Sequence, residues 1–532
     1  MTEFNPLTRD YHQLRHALLN HQEVALVDVR EEADYASGHP LFAVNIAYSK
    51  LDIEILNRIP RLNTPVTLYD NGSGLARAAA LRLHELGYQD IALLAGDLAG
   101  WREAGGELFI DVNSPCKAFG ELVESRAATP SLSAEEVDAL LRSGKPVVVL
   151  DARRFDEYQT MSIPGSISVP GGELALRVRD LAPSPETTII VNCAGRTRSI
   201  IGTQSLVNAG VRNPLFALRN GTIGWTLAGL ALEHGQSRQY AGTSDTARVQ
   251  AARQARTLAD KAGVQRTTLK EVQLWQRQQQ HTVYLFDVRA ASEYEHGHLP
   301  GSRHVPGGQL VQETDHYASV RGGWIVLIDD DGVRANSTGS WLAQLGWQVW
   351  VLDDLCAQDF SASGGWAPLI PPLPAQQEVE PHQLANWLAE GDTQVLDFTT
   401  SANYVNAHIP GAAWLQRSAL TQQGAAILPA AQRYVVTCGS SMLARYAVAQ
   451  LEALTGKAVI VLKGGNTAWK AAGLPVEAGE TALLLPRIDR YRRPYEGTDN
   501  SAEAMQAYLD WEYGLVAQLE RDGTHGFSVL TA

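Results

Sequence analysis

The sequence predicts an α/β protein made of four tandem copies of one unit, each a parallel sheet with helices on both faces. Three observations predict it. Strand-like apolar runs end in aspartate four times, at Leu26-Val27-Asp28, Val149-Leu150-Asp151, Leu285-Phe286-Asp287 and Val395-Leu396-Asp397. Each is followed at nearly constant spacing by a tyrosine (Tyr35, Tyr158, Tyr294, Tyr404), a proline (Pro40, Pro164, Pro300, Pro410), the loop of a second strand (Asp70, Cys193, Asp329, Cys438) and an aromatic (Trp101, Trp225, Phe360, Trp469). Between these landmarks, apolar strands alternate with segments of helical period, the pattern of a parallel sheet covered by helices. Chance does not hold five landmarks in register four times, so the chain is a tandem array.

In chain order, residues 1–113 form the first copy and residues 130–234 the second, joined by the polar stretch Ser114–Pro130. Residues 235–268, with alanines and arginines at helical spacing, read as a helical connector. The third copy spans 269–371, a Pro-rich stretch Ile370–Glu378 follows, and the fourth copy spans 378–478. Residues 483–532 are a helical tail. Within it Ser501–Leu519 carries apolar positions at Met505, Tyr508, Leu509 and Leu515, an amphipathic helix expected to pack on its own protein or on a subunit partner.

Composition narrows the function. The 532 residues are 45% hydrophobic and 19% charged, with a formal net charge of −14, which gives nucleic acid or an anionic membrane little to bind. The N-terminus Met1-Thr2-Glu3-Phe4-Asn5 lacks a charged and an apolar leader region, and no apolar run reaches the roughly 20 residues that span a bilayer. A cytoplasmic protein is expected. The four cysteines, Cys116, Cys193, Cys356 and Cys438, form no CxxC pair and have no accompanying histidine cluster, so neither a disulfide framework nor a metal site is expected.

The second copy holds the chemistry. Thr188-Ile189-Ile190-Val191 reads as a buried strand ending just before Cys193, and a helix begins near Ser199. Cys193-Ala194-Gly195-Arg196-Thr197-Arg198 is therefore a tight strand-to-helix loop, its thiol facing a helix N-terminus and two guanidinium groups. Such surroundings can bring a thiol pKa from near 8.5 down to roughly 3.5–7.5, and the same N–H groups and arginines can hold an oxyanion. A thiolate beside an anion pocket suits a small anionic substrate.

With the Asp-x-Arg strand ends (Asp28/Arg30, Asp151/Arg153, Asp287/Arg289), the Pro-Gly turns, the six-residue Cys loop and the closing Gly/Trp segment, the unit resembles a rhodanese domain over roughly residues 10–478. The resemblance implies a sulfurtransferase in which Cys193 takes the sulfane sulfur of thiosulfate as a persulfide and passes it to cyanide or another thiol. Ala194, Gly195, Arg196, Thr197 and Arg198 would then bind the donor, with no metal and no organic cofactor. Arg153 is expected to pair with a carboxylate or a loop carbonyl under the site.

The remaining copies differ in their loops. The fourth reads Cys438-Gly439-Ser440-Ser441-Met442-Leu443-Ala444, a thiol with no cation in the loop, and its Asp-x-Arg has become Asp397-Phe398-Thr399. Its opening Cys-Gly-Ser resembles mercaptopyruvate sulfurtransferases, so Cys438 is read as a remnant, a second site or a relay. Asp70 and Asp329 stand where a thiol would in the first and third copies, which are expected to be inactive packing or docking modules. Asp329-Asp330-Asp331-Gly332 is not a calcium loop, because Leu327 and Thr338 would fall at its first and last ligand positions. A phosphatase of this fold needs arginine at the sixth position after the cysteine, where Ser199 and Ala444 stand. A non-catalytic repeat scaffold, or a 3-mercaptopyruvate enzyme working through Cys438, are the alternatives, and the repeat array with its amphipathic tail suits a homodimer.

Overall fold

A computed structural model describes residues 4–531; Met1–Glu3 and Ala532, the extreme ends of the expected first copy and tail, lie outside the described residues. Four five-stranded sheets follow one another along the chain, and every strand pairing in them is parallel. The first contains β1 (Leu7–Arg9), β2 (Ala25–Asp28), β3 (Ala43–Asn45), β4 (Val66–Tyr69) and β5 (Ile91–Leu94), in the order β1-β5-β4-β2-β3. The second repeats that order with β6 (Ser131–Leu132), β7 (Val147–Asp151), β8 (Ile167–Ser168), β9 (Thr188–Asn192) and β10 (Leu215–Leu218). The third uses β11 (Gln265–Thr267), β12 (Val283–Asp287), β13 (Arg303–His304), β14 (Trp324–Ile328) and β15 (Gln348–Leu352). The fourth uses β16 (Glu378–Val379), β17 (Thr393–Asp397), β18 (Ala413–Trp414), β19 (Arg433–Thr437) and β20 (Val459–Leu462). The predicted α/β class and the fourfold repeat are both present.

Successive residues of each central strand feed opposite faces, as the period of two requires. In the second copy Leu150, Ile189, Val191 and Leu206 pack on one side of the sheet, while Val149, Ile190, Leu218 and Trp225 pack on the other. Burial on both faces is why these strands read as continuous apolar runs.

The landmarks repeat because each makes one local bond. The tyrosine hydroxyl donates to a carbonyl eight residues on: Tyr35 to Ala43 at 3.0 Å, Tyr158 to Ser166 and Tyr294 to Ser302 at 2.7 Å, and Tyr404 to Ala412 at 2.6 Å. Arg30, Arg153 and Arg289 each pair with the strand-end aspartate two residues before and donate to the carbonyls of Gly38, Met161 and Gly297. Trp101, Trp225 and Trp469 donate their indole N–H to the carbonyls of Glu107, Ala231 and Pro475.

Two compact units form. One contains the described residues up to Leu14, Val24–Val112 and Pro368–Arg492, so it pairs the first copy with the fourth; the other contains Arg15–Glu23, Asn113–Ala367 and the chain from Arg493 onward, so it pairs the second with the third. Each pairing uses the same short segment after the third strand of the copy. In one unit Ser418 N donates to Ser49 Oγ at 3.1 Å. In the other Gly172 and Gly308 meet so closely that a Cβ on Gly172 would lie 2.8 Å from the Gly308 nitrogen. The stretch expected to be a polar joint is instead a helix, Ser114–Ala127, with Cys116, Lys117, Phe119 and Glu121 buried. Its polar residues are inside because they meet charged and aromatic partners there. The expected connector contains the helix Asp245–Lys261, and the tail forms two helices, Ala502–Tyr513 and Leu515–Asp522, interrupted at Gly514. Met505, Tyr508, Leu509 and Leu515 are buried within their own unit.

Candidate active site

Strand β9 ends at Asn192, whose amide Nδ2 donates to Asp151 Oδ2 at 2.9 Å, and Cys193 is the next residue. The helix Thr197–Asn208 starts four residues later with no side-chain cap, so its first N–H groups are free to face the loop. From the next crossover, the N–H groups of Thr222 and Ile223 donate to the carbonyls of Cys193 and Ala194 at 2.9 and 3.0 Å. That crossover begins at Gly221 with φ of 53°, and a Cβ there would lie 2.2 Å from the Cys193 carbonyl oxygen. Only glycine permits the loop to be held this tightly.

Cys193 is 1% exposed. Its thiol donates to Ser199 Oγ at 3.4 Å, and that hydroxyl donates to the Arg196 carbonyl at 2.8 Å. Burial pushes the thiol pKa up, outweighing the Arg198 charge and the Ser199 contacts that pull it down. The depressed pKa expected from the loop alone is therefore absent in this arrangement, since the expectation took no account of what covers the loop.

The two loop arginines part company. Arg198 meets both oxygens of Glu157 at 2.7 and 2.9 Å, and its charge acts on Cys193. Arg196 turns away to the Ser114–Ala127 helix, where Nε and Nη2 meet Glu121 at 2.6 and 2.8 Å and Nη2 also meets Glu124. Its remaining nitrogen donates to Tyr513 Oη at 3.0 Å and Asn220 Oδ1 at 3.2 Å. Arg153 lies under the site, bound to Asp151 at 2.8 Å and to the Met161 carbonyl. Thr197 is buried, with Oγ1 unpartnered.

What covers the loop is the tail. Ala194 packs with Tyr495, Met505, Tyr508 and Leu509, and the Cβ position of Gly195 lies 3.1 Å from the Tyr508 ring and 3.4 Å from Glu512 Oε2. Glu512 is fully buried; Tyr508 donates to its Oε1 at 2.8 Å, and Oε2 has no partner. Burial raises its pKa to about 8, with Glu121 adding to the effect. Lys117 stands nearby over the rings of Tyr508, Tyr495 and Trp511 at 5.2, 5.5 and 5.6 Å. Sequence reasoning found no chemistry in this tail. A signal was present: Glu512 falls on the apolar stripe with Met505, Tyr508 and Leu509, where an ionised side chain has no reason to be.

The fourth copy is built alike and opened differently. Asn466 and Thr467 N–H groups hold the carbonyls of Cys438 and Gly439 at 2.9 and 3.0 Å. Cys438 is 6% exposed and lines a cavity of about 270 Å³, with Gly439, Ser440 and Met442 reaching the surface. Burial raises this thiol too, against hydrogen bonds from the N–H groups of Ala444, Leu443 and Ser440. Two cations from outside the loop line the cavity, Arg417 of the same copy and Lys50 of the first copy.

In the other two copies a carboxylate occupies the place of the thiol and takes the loop N–H groups. Asp70 accepts from Gly72 at 2.7 Å and Ala76 at 2.8 Å, and Asp329 from Gly332 at 3.1 Å and Ala335 at 2.8 Å. These loops fill their own anion-binding position with a carboxyl group, and burial beside Asp331 pushes the pKa of Asp329 well above the usual carboxylate range.

A family model described as rhodanese-like domain matches residues 12–104, 133–228, 269–354 and 380–472. A solved structure of a thiosulfate sulfurtransferase from Pseudomonas aeruginosa is 63% identical, covers 98% of this chain and 100% of that one, and superposes with a TM-score of 0.97. Among curated proteins, the candidate sulfur carrier protein YrkF of Bacillus subtilis is 25% identical over 128 residues, 22% of this chain. An HTH-type transcriptional regulator of Mycobacterium tuberculosis is 30% identical over 94 residues, 18% of this chain. The chain spans 66% and 41% of the length of those two curated relatives.

Proposed function

This chain belongs to the rhodanese family, with four rhodanese-like domains in tandem, and from that premise we propose that it is a thiosulfate sulfurtransferase working through Cys193. The sulfur of Cys193 attacks the outer sulfur of thiosulfate, the S–S bond of the donor breaks, and sulfite leaves with the electron pair. The persulfide then passes its outer sulfur to cyanide or to a thiol acceptor. The observation that carries the reading is the combination of Cys193 at the end of a buried strand with the Arg198 charge acting on it, in a chain closely similar to a thiosulfate sulfurtransferase over nearly its whole length.

Within this reading Arg198 and the N–H groups of Ala194, Gly195 and Thr197 receive the sulfonate and stabilise the departing sulfite. Arg196 shapes the loop from behind through Glu121 rather than touching the donor. The covered thiol is a resting state, because a donor reaches Cys193 only when the Tyr508–Glu512 segment lifts. Lifting also readmits water, which removes the burial that holds the sulfur as a thiol. All four cysteines are unpaired, which supports a reducing, cytoplasmic setting.

The test is the intact mass of the protein after incubation with thiosulfate, for the wild type, Cys193→Ser and Cys438→Ser. A gain of one sulfur that is lost in Cys193→Ser and kept in Cys438→Ser is the expected result. No gain in any form, or a gain indifferent to Cys193, removes the proposal.

A further inference from the structure

The cavity over Cys438 is lined by charges of both signs, and four buried polar atoms on its lining residues have no partner. The unpartnered donors are Gln416 Nε2 and Arg417 Nε, and the unpartnered acceptors are Glu31 Oε2 and Asp489 Oδ1. Glu31, Gln416 and Asp489 are more than nine-tenths buried, and the Arg417 side chain is nine-tenths buried. A buried polar atom left unpaired is costly, so a protein seldom gathers four of them in one place without something to satisfy them. The remaining atoms of these groups are anchored. Glu31 Oε1 accepts from Ser418 at 2.8 Å and also from Ser49, Asp489 Oδ2 accepts from the Ser401 N–H at 2.8 Å, and Arg417 Nη1 is bound to Asp52.

A ligand that fits must present an anionic acceptor and a cationic donor together, and the sulfur beside it dictates the third group. We infer that Cys438 is a second sulfur-bearing site whose ligand is a zwitterionic α-amino-acid thiol, carrying its sulfur as a persulfide. The carboxylate would meet Arg417 and Gln416, the ammonium Glu31 and Asp489, and the persulfide would face Cys438 where the Ser440, Leu443 and Ala444 N–H groups stabilise sulfur anion. A ligand that is purely anionic brings no donor and would leave Glu31 Oε2 and Asp489 Oδ1 unpartnered, which disfavours thiosulfate here. In the transfer the Cys438 sulfur attacks the outer sulfur of the ligand persulfide. A new S–S bond forms on Cys438 and the ligand's S–S bond breaks; its electron pair stays on the inner sulfur, which takes up the proton given up by Cys438. The exchange is neutral in electrons and needs no further reagent, and run backwards it delivers sulfur to the free thiol.

This site stands apart from the Cys193 proposal, and the experiment keeps them apart by using the full chain with Cys193→Ser. That protein is exposed to equal concentrations of three persulfides, those of L-cysteine, of 3-mercaptopropionate, which lacks the ammonium, and of cysteamine, which lacks the carboxylate. Sulfur gained on the Cys438 peptide is followed by mass. The expected result is loading at least about tenfold faster from the L-cysteine persulfide than from either analogue, the value of roughly one satisfied charged group. Adding Glu31→Gln, or Asp489→Asn if the first fails to fold, should erase the preference over 3-mercaptopropionate and keep the preference over cysteamine. Equal loading from all three persulfides, a preference untouched by both substitutions, or no sulfur on the Cys438 peptide overturns the inference.

Discussion

Replacing Glu512 by glutamine should slow the loading of Cys193, although the side chain lies on the tail and far from it in sequence. Glu512 docks against Gly195 only as a fully buried group with a pKa near 8, against 4.5 in water. Its folded value is raised, so its contribution to docking is complete below about pH 4.5 and is lost as pH rises through about 8. At pH 7 the docked tail must take a proton from solution, a cost of about 3 kcal/mol, rising to roughly 4–5 kcal/mol above pH 8. Glutamine pays none of this and keeps the tail down. The loading rate in Glu512→Gln should therefore equal that of the wild type near pH 4.5 and fall behind by about tenfold per pH unit, reaching a hundredfold or more at pH 7 and levelling off above pH 8. The assay is the rate of sulfur gain from thiosulfate at Cys193 between pH 5 and 9, read by mass beside protease cleavage of the tail. Superimposable profiles, or a faster variant, would refute the reasoning that burial of this carboxyl sets the resistance of the cover.

Other substitutions separate roles that look alike in the loop. Arg198→Gln should lower loading of the folded protein roughly a hundredfold, as expected for a donor aimed at developing charge. It should also destabilise the fold, because burial would then act on a Glu157 carboxylate whose pKa Arg198 holds at about 2. Arg196→Gln should cost about 3 kcal/mol in urea unfolding, because it strands the buried Glu121 carboxylate, while the folded fraction still loads; the opposite assignment would show as exchanged phenotypes. Gly221→Ala should cost about 2 kcal/mol or more and stop loading at Cys193, since the new Cβ would collide with the Cys193 carbonyl; normal kinetics would disprove that closeness. Burial raises Asp397 to about 6. Its contribution to stability is present below about pH 3.8 and lost as pH rises through 6, so the urea midpoint of the wild type should fall relative to Asp397→Asn over that range; a rise would contradict the sign.

What the sequence made legible is what local bonds repeat. The Asp-x-Arg pairs, the Tyr158-type hydroxyl bonds and the Trp225-type indole bonds close over eight residues or fewer, so they recur at fixed spacing and mark every copy of the unit. The Cys193 loop was equally readable in its position between strand and helix. Its electrostatics were not, because they depend on residues distant in sequence. Nothing in the spacing joins Arg196 to Glu121 or Gly195 to Glu512, and the polar look of Ser114–Pro130 concealed a buried helix whose acids have an arginine to meet. The same limit hid the cations of the Cys438 cavity, one of which comes from the first copy. The aspartates at 70 and 329 read from the sequence as groups unable to carry sulfur, while their filling of their own loops appears only once the N–H groups are in place.

The order in which the copies pair has a consequence for synthesis. The first copy must wait for the fourth, while the second and third, adjacent in the chain, meet as soon as they emerge, so the pairing is nested. Residues 113–367 separate the two halves of the outer pair. At a ribosomal rate of about 5–20 residues per second, that interval lasts roughly 10–50 s. During it the face of the first copy around Ser49 and Asp52 has no partner, and Cys193 lacks the cover that residues 495–512 supply. A nascent chain stalled before residue 500 would thus present an uncovered reactive thiol, which makes the interval between synthesis of the second copy and of its cover the one in which Cys193 is most exposed to oxidation.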